Sequence, residues 1–194
     1  MVTTESIKEL REMSGVSIMQ CKKALEEAGG DMEKAKVLLA KKGSQIAEKK
    51  ADRDLGAGVV QAYIHGTNEV AGVVILSCET DFVAKNEEFI KLAYDIAMQI
   101  AATSPQFIKK SEVKEEDMKA AKEVFTEEVK DKPKDMQEKI LQGKLDSYFK
   151  DKILLEQDFI KDGSKTIQNL IDEATQKFGE RTEITSIERF SVKG

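Results

Sequence analysis

An apolar run at residues 70–76 is followed, after a short connector, by the clearest helical periodicity in the chain. The run is apolar on both faces, as a central strand covered by helix on at least one side must be. From about Glu87 onward, Phe89, Leu92, Ala93, Ile96, Ala97 and Ile100 fall at helical spacing, and Ser104-Pro105 marks the stop. The chain therefore passes from strand to helix within 78–86, which reads Cys-Glu-Thr-Asp-Phe-Val-Ala-Lys-Asn and sets a carboxylate beside an aromatic, Asp81 and Phe82. Side chains held between two rigid elements need not pack inward, which is why such connectors carry function. Spacing alone leaves two readings open. Phe82 folds back into the core while Asp81 caps the next turn, or the pair faces outward as a contact point.

The N-terminal third reads as three short helices. The first starts at Thr3 or Thr4, buries Ile7, Leu10 and Met13, and stops at Gly15. The second opens with Ser17 and Gln20 at capping-box spacing, buries Cys21, Ala24, Leu25 and Ala28, and ends at Gly29-Gly30. The third begins at the cap Asp31, buries Ala35, Leu38 and Leu39, and is expected to end at Gly43. A bundle this small has a thin core and is usually an interaction module. The basic, polar stretch 44–53 reads as the linker out of it, so the expected domains are 1–53 and 54–194.

Beyond the linker, 59–65 and 70–78 are β-prone and joined by Gly66-Thr67-Asn68, which spells a hairpin. After the central helix come two charged helices, roughly 115–130 and 133–149, the second with Pro133 at its first position. Their narrow apolar stripes, Met118, Ala121, Phe125, Val129 and Met136, Ile140, Leu141, Leu145, suit an antiparallel hairpin at about 112–150 that projects from the body or meets a partner. Ile153-Leu154-Leu155 looks extended. A helix with Ile167, Leu170, Ile171, Ala174 and Phe178 inward follows, stopped by Gly179. The run 183–192 should be a third strand, with a bulge where its alternation slips between Ile184 and Ile187.

Composition narrows the function. Charged residues make up 35% of the 194 and Pro only 2, a globular, helix-rich balance. Residues 1–53 carry 11 Lys plus Arg against 9 Asp plus Glu, net +2, and the remainder carries net -7 of the total -5. An acidic body is a poor match for a phosphate backbone, so protein surfaces rather than nucleic acid are the expected partners. No apolar run is long enough to span a membrane and 1–14 is too charged for a signal peptide, so no membrane is expected and the location reads as cytoplasmic. An organellar protein stripped of its transit peptide would look the same.

Several sites fail on spacing. Gly56-Ala57-Gly58 precedes its strand and has Gln61 where a dinucleotide loop needs glycine. Gly163-Ser164-Lys165-Thr166 has Asp158 where a phosphate loop needs its first glycine. Cys21, Cys78 and the single histidine His65 are too few for zinc, and Cys78 with His65 lacks an evident third group for thiol catalysis. No cofactor is expected, and any chemistry belongs to a partner.

Leu10-Arg11-Glu12 with Gly15, Met19-Gln20-Cys21-Lys22-Lys23-Ala24-Leu25, Gly30-Asp31 and Thr80-Asp81-Phe82-Val83-Ala84 resemble the elongation factor Ts family, as do residues 154–162 and Ser164-Lys165-Thr166. The resemblance implies a three-helix, ubiquitin-associated-like bundle followed by an α+β core: a three-stranded, mostly antiparallel sheet packed with helices, plus the helical hairpin. It implies a guanine-nucleotide exchange factor for elongation factor Tu, not an enzyme with covalent chemistry of its own. Arg11, Ile18, Met19 and Lys22 would touch the partner's nucleotide-binding domain. Thr80, Asp81, Phe82, Val83 and Ala84 would form the tip that intrudes near its magnesium site.

One departure stands out. Longer members of the family carry two copies of the core unit, and this chain shows one. Tyr63-Ile64-His65-Gly66 looks like the hairpin of the second copy, while 80–84 looks like the motif of the first. A homodimer is therefore expected, with one chain offering Phe82 and the other the His65 region. The alternative for His65 is a polar hairpin end. Rival classes are an adaptor binding ubiquitin-like proteins through the bundle, and a thiol enzyme.

Overall fold

Thr3 opens the first helix with a reciprocal cap: its Oγ1 accepts from the Ser6 amide, and Ser6 Oγ accepts from the Thr3 amide. The computed structural model describes residues 2–130 and 133–193, with only the backbone described at 134 and 135. Helix α1 spans Thr4–Ser14 and ends on Gly15, whose φ of 67° is the left-handed stop that glycine adopts without strain. Helix α2 spans Ile18–Glu27, and its Ser17 cap accepts from the Gln20 amide. The Gln20 side chain does not complete the expected box, because its Oε1 accepts from Gln176 Nε2 at 2.8 Å instead. Leu10, Val16, Cys21, Ala24, Leu25, Ala35 and Leu39 close the core of the bundle, whereas Met13 stays largely exposed.

Helix α3 spans Met32–Lys49, six residues past the expected stop at Gly43, so most of the supposed linker 44–53 is helix. The reason is tertiary. Gly43 is buried where a Cβ would lie 3.1 Å from Gln176 Oε1 and 3.5 Å from the Asp172 carbonyl oxygen, so the glycine marks a close helix approach.

Strands β1 (Ala57–Ile64), β2 (Val70–Cys78) and, at the end of the chain, Thr182–Ser191 form an antiparallel sheet with β2 in the centre. The hairpin closes through His65 N–H to the Val70 carbonyl at 2.9 Å, with Asn68 at φ 59° in its turn. After β2 the chain makes the short helix α4 (Asp81–Ala84) and then α5 (Glu87–Thr103), capped by Asn86 Oδ1 on the Glu88 amide. Helices α6 (Glu115–Val129) and α7 (Lys134–Lys150) pair as expected. Phe125 meets Tyr148 edge-on and Glu128 pairs with Lys144, so positions advance along one helix as they recede along the other, which is the antiparallel arrangement. Pro133 falls at the cap rather than inside α7.

Of the segment 153–155 only Ile153 is extended. Ile153 makes an isolated parallel bridge to Phe107 and the chain then turns through a 3-10 helix at Leu154–Glu156. A two-stranded ladder that the sequence did not suggest follows, β3 (Asp158–Phe159) with β4 (Asp162–Thr166), and it absorbs the Gly163–Thr166 stretch. Helix α8 (Ile167–Phe178) leads to the last strand, β5, where the less exposed positions move from even to odd numbers between Ser186 and Ile187.

The chain clusters into two compact units. One comprises Met1–Gln61, Ile75–Tyr94 and Gln168–Thr185. Within it the bundle meets α8 through Ser44 to Asp172 and Gln20 to Gln176, and Phe89 stacks edge-on against Phe178 with centroids 5.7 Å apart. The other comprises Ala62–Val74, Asp95–Ile167 and Ser186–Gly194. Its buried Gln99 donates to Gln157 Oε1 and the Asp158 carbonyl and accepts from the Ile160 amide, which ties α5 to β3. A buried amide satisfied on both of its ends fixes register as apolar contact cannot.

Candidate functional site

The connector after β2 resolves into an anchored turn. Val83 and Ala84 are 4% and 7% exposed, while Phe82 beside them is 82% exposed. The reading in which Phe82 returns to the core is overturned. Successive residues of a helix are turned by about 100°, so a buried face centred between Val83 and Ala84 leaves Phe82 about 150° away, on the outer side. Asp81 is exposed too and pairs with Lys85 at 2.6 Å. That Lys85 hydrogen bond, and the charge behind it, hold the Asp81 carboxyl below its ordinary range. Asp81 is therefore a carboxylate at neutral pH.

Thr80 caps α4 without a capping bond from its own side chain. Its hydroxyl donates to Glu180 Oε1 at 2.6 Å, and its amide donates to Glu180 Oε2 at 3.0 Å. The neighbouring pair is the reverse: Glu79 Oε1 accepts the Arg181 amide at 2.6 Å. The Arg53 guanidinium adds an ion pair to Glu79 at 3.0 Å, and the Arg181 guanidinium donates to the Arg53 carbonyl. Although burial pushes the Glu79 carboxyl up, the Arg181 amide and Arg53 outweigh it and hold it below the ordinary value. Sequence reasoning missed Glu79 and Glu180, since a lone carboxylate after a strand end or a helix stop reads as a solvated charge.

Cys78, at the end of β2, is fully buried and its thiol donates to the Thr80 carbonyl at 3.2 Å. Burial, with the Glu180 charge second, pushes this thiol up, the opposite of what a thiolate nucleophile needs. Cys21 is buried in the bundle as well.

In the same unit, Arg11, Ile18, Met19 and Lys22 lie on the surface of α1 and α2. Ile18 and Met19 are 51% and 63% exposed, and Lys22 makes a long contact to Glu26 at 3.8 Å. His65 belongs to the other unit, exposed at the hairpin end with Nδ1 3.2 Å from the Tyr63 hydroxyl. Among the described residues no group of His, Cys, Asp and Glu converges as a metal site, and no helix is long and apolar enough to cross a membrane.

The anchored turn leaves an aromatic and a carboxylate facing solvent, an arrangement that suits contact with another macromolecule. Comparison with known proteins is consistent across the whole chain. The family described as Elongation factor TS matches residues 4–193. The chain is 44% identical over 191 residues to elongation factor Ts of Thermotoga petrophila, covering 98% of this chain and 96% of that protein. It is 45% identical to the elongation factor Ts proteins of Thermodesulfovibrio yellowstonii and Desulforamulus reducens, covering 96% and 89% of their lengths. The chain belongs to the elongation factor Ts family, and with it to the nucleotide-exchange factors that serve elongation factor Tu in translation elongation.

Proposed function

We propose that Phe82 is the group this protein inserts beside the magnesium and phosphate site of elongation factor Tu, and that GDP leaves because the inserted ring favours a partner conformation in which that shell is incomplete. The observation that carries the reading is the contrast between Phe82, 82% exposed, and the buried pair Val83 and Ala84 that anchor it. Leaving a Phe ring in water forgoes about 1.5–3 kcal/mol of burial, which becomes available when a partner covers it. A tightly held nucleotide depends on its metal ion and on a preformed ring of amides, so a rigid wedge is enough to weaken it. Coupling is reciprocal: returning nucleotide weakens the grip of the exchanger by the same factor, which allows turnover. A factor of ~1000 in nucleotide affinity needs about 4 kcal/mol of differential binding. No covalent step by this chain is required.

In this reading Arg11, Ile18, Met19 and Lys22 hold the nucleotide-binding domain of the partner, Asp81 and Phe82 act at the metal site with Thr80, Val83 and Ala84 shaping the turn, and His65 reaches a second region of the partner. The bundle of 1–53 acts as a ubiquitin-associated-like binding module and 54–194 as the exchange core. The protein works in the cytoplasm, without nucleic acid or membrane, and as a homodimer that supplies the second core unit. The exposed Phe190 on β5 and Ile64 on β1 favour the sheet over the α6–α7 stripe as the pairing surface, since that stripe is largely spent within its own hairpin.

The test is release of a fluorescent GDP analogue from purified elongation factor Tu in excess unlabelled nucleotide. Wild-type protein should accelerate release, and Phe82→Ala should lose at least about five-fold of that acceleration, the equivalent of roughly 1 kcal/mol of wedge energy. Acceleration unchanged in the variant refutes the wedge.

A further inference from the structure

We propose that Glu180 is the positioning residue for Phe82: its carboxylate sets the direction in which the α4 turn presents the ring to the partner. The inference rests on the wedge reading above.

Helix α4 has four residues, far too few to hold its own shape, because a helix that short has not repaid the cost of its first turn. Two kinds of constraint act on it. Burial of Val83 and Ala84 fixes how deep it sits. Apolar contact is not directional, however, and leaves the turn free to rock about that anchor. The second constraint is directional. Glu180 takes both the amide and the hydroxyl of Thr80, at 3.0 and 2.6 Å, and a two-point bond to a charged acceptor removes the rocking freedom that a single bond leaves.

Thr80 has the extended backbone of a helix cap, φ -128° and ψ 156°, yet its hydroxyl is turned away from α4. A cap hydroxyl ordinarily accepts from the helix it opens. Here it gives up that role to bond Glu180, which makes sense if the orientation of the turn matters more than its local stability. Glu180 is itself held in place. It follows Gly179, the left-handed stop of α8 at φ 70°, and the Arg181 amide next to it is bonded by Glu79. Residues 79–80 and 180–181 thus exchange glutamate-to-amide bonds in both directions. The base of the Phe82 turn is clasped to the end of α8, the same helix that bonds Gln20 of the bundle through Gln176.

The experiment measures maximal and half-saturating behaviour separately, in the nucleotide-release assay with full-length protein titrated over elongation factor Tu. Glu180→Ala should lower the maximal rate about five- to ten-fold, as expected for loss of a charge-assisted bond pair, and leave the half-saturating concentration within about two-fold. Glu180→Gln, which still accepts from the Thr80 amide, should recover much of that loss. Thermal unfolding of each variant accompanies the assay. A purely structural role reduces the active fraction, which raises the apparent half-saturating concentration and spares the maximal rate, and that pattern overturns the proposal. The Phe82→Ala, Glu180→Ala double variant separates the two ideas. If Glu180 acts through Phe82, the double variant is no slower than Phe82→Ala. Additive losses overturn the positioning role while keeping the wedge. A Glu180→Ala variant with wild-type rate beside a slow Phe82→Ala does the same. A wild-type rate in Phe82→Ala removes the wedge and this proposal together.

Discussion

Phe82 contributes almost nothing to its own fold, since most of its surface is already in water. Truncation to Ala should therefore leave the thermal unfolding midpoint within about 1 °C of wild type, as for surface positions in general, while exchange falls. A residue whose loss is silent in stability and loud in exchange is a contact residue. Glu79 is the opposite kind. Its carboxyl titrates below the ordinary 4.5 in the folded chain, so it stabilises the fold above that value and the contribution disappears as pH falls through the folded value. Urea midpoints measured between pH 7 and pH 3 should show wild type losing stability below about 4.5, and Glu79→Gln, already weaker at neutral pH, should show a shallower acid slope.

At the scale of elements, two glycines do what periodicity cannot express. Gly72 in the central strand lies so close to α5 that a Cβ would overlap the Ala97 carbonyl and stand 2.7 Å from the Ala101 amide nitrogen. Both obstacles are backbone and neither can rotate away. Gly72→Ala should cost about 3 kcal/mol by chemical denaturation, at the upper end for overpacking. Gly43 in α3 faces a softer neighbour, the end of the Gln176 side chain. There the helix-propensity gain of about 1 kcal/mol offsets the crowding, so Gly43→Ala should be close to neutral whereas Gly43→Leu should cost about 3 kcal/mol and loosen α3 from α8. A near-neutral Gly72→Ala would show that the strand and helix can separate without penalty.

For the whole molecule the open quantity is the number of chains. Apolar side chains left exposed on β1 and β5 argue for pairing, because a Phe such as Phe190, 60% exposed, gains by being covered. Light scattering at micromolar concentration should return twice the 21.6 kDa of one chain, and Phe190→Glu should return the single mass. A wild-type protein that scatters as one chain excludes the dimer.

Much of this architecture was legible from local chemistry. Thr3, Ser17 and Asp31 cap their helices and Gly15 and Gly179 stop theirs, since caps and stops act within one turn of chain. The doubly apolar run 70–78 had to be central, and it is. What sequence left open at Phe82 was direction, because an aromatic next to a helix start is consistent with burial as well as with display. Only the packing of Val83 and Ala84 settled it. Tertiary structure likewise carried α3 past Gly43, turned Gln20 from its own cap to Gln176, and brought Glu180 to Thr80 across a hundred residues of chain. Each of these is a contact between segments distant in sequence, and such contacts leave no periodic trace in either segment. The chain alone determined most of its helices, its central strand and the connector at 78–86; the fold decided which way that connector faces and what holds it there.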